Sequence, residues 1–310
     1  MENNIAISVK NLTKVYNAGS NNEILALDNV TLNISSGSIF GLLGPNGAGK
    51  STFINILADL VRKSGGDIKI FNTDYASNLK KVKSLMGIVP QELNIDPFFT
   101  PFELLEIHAG LYGVPKKDRK TMEILGMLAL EDKAHVYART LSGGMRRRLL
   151  IAKAMVHNPA ILILDEPTAG VDVELRTNLW KNIERLNSIG KTIIITTHYL
   201  HEAEELCNEI AIIDEGKLIA HDSTSNIKSF IDNREIKIIY NNQDTINLSS
   251  LKNLNIDLKL NSKILEINYK PSEIKFNDLL KAINNSNIDI EDISIKETRL
   301  EDVFLKLTQS

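Results

Sequence analysis

Gly44, Pro45, Asn46, Gly47, Ala48, Gly49, Lys50, Ser51 and Thr52 read GPNGAGKST and fit the pattern G-x-x-x-x-G-K-[ST]. Glycines at this spacing let the backbone curl until successive N–H groups converge on an anion. An apolar run, IFGLLG, enters the loop, and GKSTFINILADLV leaves it as a helix, whose N-terminus adds partial positive charge. The chemistry such a loop serves is the cradling of nucleotide phosphates. Lys50 would reach the β- and γ-phosphates, and Ser51 would place its hydroxyl on Mg2+. A second cluster, ILILDEP at 161–167, is a buried strand that delivers Asp165 and Glu166 at its carboxyl end. Open α/β sheets place their ligands at that end. Asp165 suits the Mg2+-holding acid, while Glu166 faces the other way and can orient or deprotonate an attacking water.

Leu141, Ser142, Gly143, Gly144 and Met145 form a turn that opens a long helix, RRRLLIAKAM, and so make a second anion-binding N-terminus. Two phosphate sites and one P-loop suggest a shared arrangement, in which the Ser142 loop of one copy closes on the γ-phosphate held by another. His198 ends the run TIIITT and can face the same γ-phosphate. Gln91 follows GIVP at another strand end and could complete the Mg2+ and water shell. The basic run Arg146, Arg147 and Arg148 reads as a helix that salt-bridges and flanks a phosphate site rather than as a nucleic-acid patch.

These groups need elements to hold them. ILILD, TIIITTH and EIAIID are continuous apolar runs, as expected of strands buried on both faces, and they alternate with helical patterns such as VELRTNLWKNIERLNSIG. IAISVKNL and VTLNI read as further strands. The alternation predicts an α/β fold with a largely parallel sheet, and the GPNGAGKST motif makes it one of the P-loop nucleotide-hydrolase type. Residues of about 100–159 are nearly all helical, with Pro101 and Pro115 as boundaries, and read as an inserted helical subdomain. Near Asp222 the character changes. Residues 1–222 are assigned to the nucleotide-binding domain and 223–310 to a small α+β domain without a visible catalytic cluster.

The bulk numbers narrow the classes. With 310 residues the chain can bury a sizeable core without disulfides, and its 43% hydrophobic and 24% charged residues are an ordinary globular balance. A net charge of -3 gives no electrostatic reason to expect nucleic acid. The one cysteine, Cys207, favours a reducing cytoplasm and reads as a packed thiol. MENNIAISVK lacks the apolar core of a signal peptide, and no run is long enough to cross a bilayer, so any membrane role is expected to come through a partner.

Taken in order, these motifs resemble the nucleotide-binding subunit of ABC transporters over about Ile5 to Asp222. In that resemblance Tyr16 matches the aromatic that stacks on adenine and GPNGAGKST is the Walker A motif. Gln91 is the Q-loop, LSGGM the signature and ILILDEP the Walker B motif. Asp172 marks the D-loop and His198 the switch histidine. Met145 departs from the Gln of many members. LSGGM followed by three arginines, and the ending RLEDVFLKLT, are similar to the drug-exporter branch that includes daunorubicin exporters. The resemblance implies that two copies sandwich two ATP molecules with Mg2+. It also implies a separate membrane permease and a location on the cytoplasmic face of the inner or plasma membrane. The permease groove would fall near residues 92–114, where DPFFTPFELLEIHAGLY is apolar and aromatic. The competing readings are a soluble ATPase that remodels ribosomes or DNA, a non-hydrolysing nucleotide-gated module, and an importer subunit. Intact Glu166 and His198 weigh against the second, and a single motif set without a long heptad run weighs against the first.

Overall fold

Strands that must be dry on both faces and strands that are wetted on one face separate into different sheets. In chain order these are β1 (Ile5–Tyr16), β2 (Ile24–Ser35), β3 (Ile39–Leu43), β4 (Gly65–Ile70), β5 (Thr73–Asp74), β6 (Met86–Val89), β7 (Ile161–Asp165), β8 (Thr192–Thr197), β9 (Glu209–Asp214) and β10 (Lys217–Ser223). A six-stranded sheet has the order β10-β9-β3-β8-β7-β6, parallel from β9 to β6, with β10 antiparallel at one edge. Its central strands β3 and β8 are buried at every residue, with apolar residues throughout β3 and at the centre of β8 and threonines at the two ends of β8. The other sheet, β2-β1-β4-β5, is antiparallel throughout. The runs IAISVKNL and VTLNI mark β1 and β2 as strands without separating them from the parallel sheet. The distinguishing signal is VTLNIS, whose residues alternate between exposed and buried, the period of a sheet with one wet face. The structure is a computed structural model that describes residues 5–92, 94–171, 173–241, 247–261, 263–296 and 298–308.

The helices of this part are α1 (Lys50–Leu57), α2 (Leu79–Leu85), α3 (Pro101–Leu111), α4 (Thr121–Met127), α5 (Gly143–Met155), α6 (Val173–Ser188) and α7 (Leu200–Leu206). Phe53, Ile56 and Leu57 of α1 share one hydrophobic core with Ile7 and Val9 of the antiparallel sheet and with Phe40, Ile163 and Ile194 of the parallel one. Residues 100–159 hold α3, α4 and α5 with three short 3-10 turns between them, so the segment is less continuously helical than its sequence suggests. Thr100 caps α3 reciprocally with Glu103, and Pro101 occupies the first turn, where a missing N–H is harmless.

The chain divides into two compact units, Met1–Thr224 and Ser225–Ser310. The helix α8 (Thr224–Lys228) spans that break. The second unit runs β11 (Arg234–Tyr240), α9 (Ser249–Lys252), β12 (Asp257–Asn261), β13 (Ile264–Tyr269), α10 (Phe276–Asn284), β14 (Ile290–Lys296) and α11 (Leu300–Thr308). Its sheet is antiparallel, in the order β12-β13-β11-β14. That is the βαββαβ arrangement of ferredoxin-like domains, closed over a core that includes Ile236, Ile238, Leu265, Ile267 and Leu279.

Candidate active site

Parallel pairing of β3, β8, β7 and β6 brings four strand ends to one edge of the sheet. Leu43 pairs with Thr197, Thr196 with Asp165, and Leu164 with Val89. The residues that follow each strand therefore meet: the loop after Leu43, His198 after Thr197, Glu166 after Asp165, and Gln91 two residues beyond Val89. They line a cleft of about 710 Å³ whose wall includes Asn46 through Thr52, Gln91, Glu166 and His198.

Gly44 and Gly49 shape the loop. Their φ angles are 157° and 107°, and a Cβ would lie 2.2 Å from the Ile213 carbonyl oxygen at Gly44 and 2.6 Å from that of Ala26 at Gly49. No side chain fits at either position. Lys50 is buried and donates to the carbonyls of Gly44 (2.7 Å) and Pro45 (2.9 Å), which bends its ammonium back over the loop. Burial pulls the Lys50 pKa below its ordinary value, while the nearby charges of Glu166 and Asp165 oppose that shift. Ser51 is exposed at the cleft wall. The Thr52 hydroxyl lies 3.5 Å from that of Tyr16, with Lys14 over the Tyr16 ring.

Glu166 sits at φ 43°, in the left-handed region, and its N–H donates to Thr196 Oγ1 (2.9 Å). The Thr196 hydroxyl in turn donates to Asp165 Oδ1. This turn sends the two adjacent carboxylates to different partners. Asp165 stays beside Thr196, while Glu166 enters the cleft and accepts from Gln91 Nε2 at 2.9 Å, with His198 Nδ1 3.3 Å from its other oxygen. Such positive φ at a non-glycine residue costs about 1–3 kcal/mol and is held only where surroundings enforce it.

Leu141, Ser142, Gly143, Gly144 and Met145 do not line this cleft. Ser142 is exposed and its Oγ accepts from the Met145 N–H, capping α5. Gly144 packs so tightly that a Cβ would come within 2.8 Å of Leu175. Asp172 lies outside the described residues.

Two charged residues beside the site are buried, Arg147 of the basic run and Glu202, which no motif marks. Arg147, 4% exposed, directs its guanidinium at backbone carbonyls of 90, 91, 165, 166 and 167. The basic run bonds to main-chain carbonyls and not, as its sequence suggests, to acidic side chains. Arg146 donates to the Arg139 carbonyl and Arg148 to those of Leu128 and Ala129, and among the described residues none of the three forms an ion pair. Glu202, 1% exposed, accepts from Thr168 Oγ1 (3.0 Å) and Trp180 Nε1 (3.1 Å) and so ties α7, which follows His198, to the segment after Glu166. The signal for Arg147 was the apolar face of α5 on which it lies, with Leu150, Ile151 and Ala154.

A P-loop beside a parallel-sheet edge that also delivers paired acids and a histidine defines a P-loop nucleotide hydrolase of mixed α/β architecture. The family model "ABC transporter" matches residues 27–169. The linearmycin resistance ATP-binding protein LnrL of Bacillus subtilis is 32% identical over 310 residues, covering 97% of this chain and 98% of that protein. The daunorubicin/doxorubicin resistance ATP-binding protein DrrA of Streptomyces peucetius is 32% identical over 309 residues, covering 98% and 92%. A dimeric, post-hydrolysis ATP-binding cassette bound to ADP and Pi superposes with a TM-score of 0.62 at 29% identity, over 70% of this chain and 98% of that one. This chain belongs to the ABC transporter ATP-binding family, and within it to the ATP-hydrolysing subunits of export-type transporters.

Proposed function

We propose that two copies of this chain close head to tail around two Mg-ATP and drive export through a separate membrane permease from the cytoplasmic face of the membrane. The observation that carries this reading is the split of the chemistry. Glu166, Gln91 and His198 face the P-loop cleft of their own chain, whereas the Ser142 turn is exposed outside it. A second copy supplies the missing turn.

Gly44 and Gly49 are held as glycine by close contacts with their own chain, which fixes a loop whose backbone N–H groups suit phosphate oxygens. Lys50 and the α1 N-terminus balance the phosphate charge, Tyr16 stacks on the base, and Glu166 takes the proton of the attacking water. Gln91 and His198 fix the Glu166 carboxylate, and His198 also contacts the γ-phosphate. Hard oxygen donors on Asp165, Ser51 and Gln91 suit Mg2+, which when bound neutralises charge on the β- and γ-phosphate oxygens. Asp172 contributes between the two copies.

Exposed apolar side chains support a docked permease. Phe98 is 70% exposed and Leu111 76%, and Leu111 and Tyr112 border a second cleft of about 460 Å³ with Lys83, Met86 and His108. Among the described residues no helix is long and apolar enough to cross a membrane. The relatives named for linearmycin and daunorubicin/doxorubicin resistance support a drug or other small molecule as cargo, with a lipid or polysaccharide as the alternative. Residues 1–222 act as the ATPase and 223–310 as an accessory domain that stabilises the assembly. The test is Ser142→Arg. It should retain ATP binding by the monomer and lose both ATP-dependent dimers, read by light scattering, and turnover. Dimers and turnover at wild-type levels would exclude the shared site.

A further inference from the structure

We infer that Arg147 is a positioning residue for hydrolysis, a buried clamp that makes the start of the Q-loop, the Walker B carboxylates and the signature helix move as one piece. It rests on the proposed roles of Gln91 and Glu166.

A guanidinium carries five N–H donors in a rigid planar fork. At Arg147 each has a partner. Nε donates to the Pro167 carbonyl at 2.9 Å, Nη1 to those of Pro90 and Gln91 at 3.0 and 2.7 Å, and Nη2 to those of Asp165 and Glu166 at 3.0 and 2.5 Å. The acceptors lie at the carboxyl end of β7 and in the segments that follow β6 and β7, two adjacent parallel strands, and the donor belongs to α5, which opens at Ser142. One side chain therefore grips the backbone of Gln91 and Glu166, whose side chains are themselves bonded across the cleft.

A filler of that space would be an apolar residue, because burying a cation without a contacting carboxylate is unfavourable unless every donor is used. Here every donor is used, on main-chain atoms of the residues that must hold the water and the γ-phosphate. Burial depresses the guanidinium's pKa, opposed by the charges of Asp165, Glu166 and Glu202. When the partner's γ-phosphate draws on Ser142, the displacement of α5 reaches Glu166 through this fork. Lysine cannot substitute, since three tetrahedral donors leave carbonyls unpaired.

The test compares Arg147→Lys and Arg147→Ala with wild type in steady-state ATP hydrolysis, together with nucleotide affinity and thermal unfolding. Displacement of the site geometry should lower kcat on the order of 10²-fold, with KM for ATP and the monomer's affinity for ATP changed by less than about twofold. Added guanidinium at millimolar concentration should restore part of the turnover of Arg147→Ala, and methylammonium should restore none. If Arg147→Ala fails to fold, Arg147→Lys carries the same kcat-against-KM reading. Turnover near wild type in the Lys variant, or kcat, KM and stability falling together without guanidinium rescue, would overturn the clamp. A parallel Glu166→Gln variant separates the two levels of the claim. If it keeps full turnover, the site assignment beneath the clamp fails; if it loses turnover while the Arg147 variants keep theirs, only the clamp fails.

Discussion

At the scale of single residues, the site depends on how adjacent carboxylates are kept apart. Asp165 and Glu166 are neighbours in the chain, yet the positive φ of Glu166 gives them separate partners. Gln91 and His198 then hold Glu166 from two sides. His198→Ala should lower kcat by at least about 10²-fold, the ordinary contribution of a group that tunes proton transfer, with ATP affinity unchanged by equilibrium binding. Cys207 makes a contrasting prediction. It is buried, and burial, helped by the charge of Glu202, pushes its thiol well above the ordinary range. Iodoacetamide should label the unfolded chain and spare the native one, because only a thiolate reacts. Rapid labelling of the native chain would contradict the packing described for α7.

At the scale of elements, strand continuity placed most of the site. IFGLL, ILILD and TIIITT were legible as buried strands because a parallel sheet covered on both faces favours continuous apolar stretches, with Thr and Asp only toward the strand ends. Adjacent parallel strands then carry the phosphate loop, the acids and His198 to one edge. The burial of Arg147 was not legible because an arginine in a basic run normally faces water, and the five carbonyls that accept from it come from segments 18–57 residues away in the chain. The separation of β1 and β2 into their own sheet also depends on pairing between distant segments, here β1 with β4. Two substitutions test the elements. Gly49→Ala forces a Cβ to 2.6 Å from the Ala26 carbonyl at φ 107° and should abolish ATP binding, measured by fluorescence titration. Ile194→Ala, fully buried in β8, should lower unfolding stability by about 2–5 kcal/mol in a denaturant titration.

At the scale of the whole molecule, the cleft belongs to one of the two units. The first holds every residue of the cleft. The second is a ferredoxin-like sheet with its own core, legible in the sequence as a small α+β segment though not by topology, since strand order is a long-range property. Removal of 225–310 should leave ATP binding intact and reduce recovery of the chain with membranes, read by flotation. Unchanged recovery would remove the accessory role. The central claim, that Glu166 fires an ATP sandwich made by two copies, is tested most directly by Glu166→Gln in saturating Mg-ATP. The variant should bind ATP, lose steady turnover and accumulate as a stable dimer by size-exclusion chromatography with light scattering. A variant that stays monomeric with ATP bound, or that hydrolyses at the wild-type rate, would contradict the account.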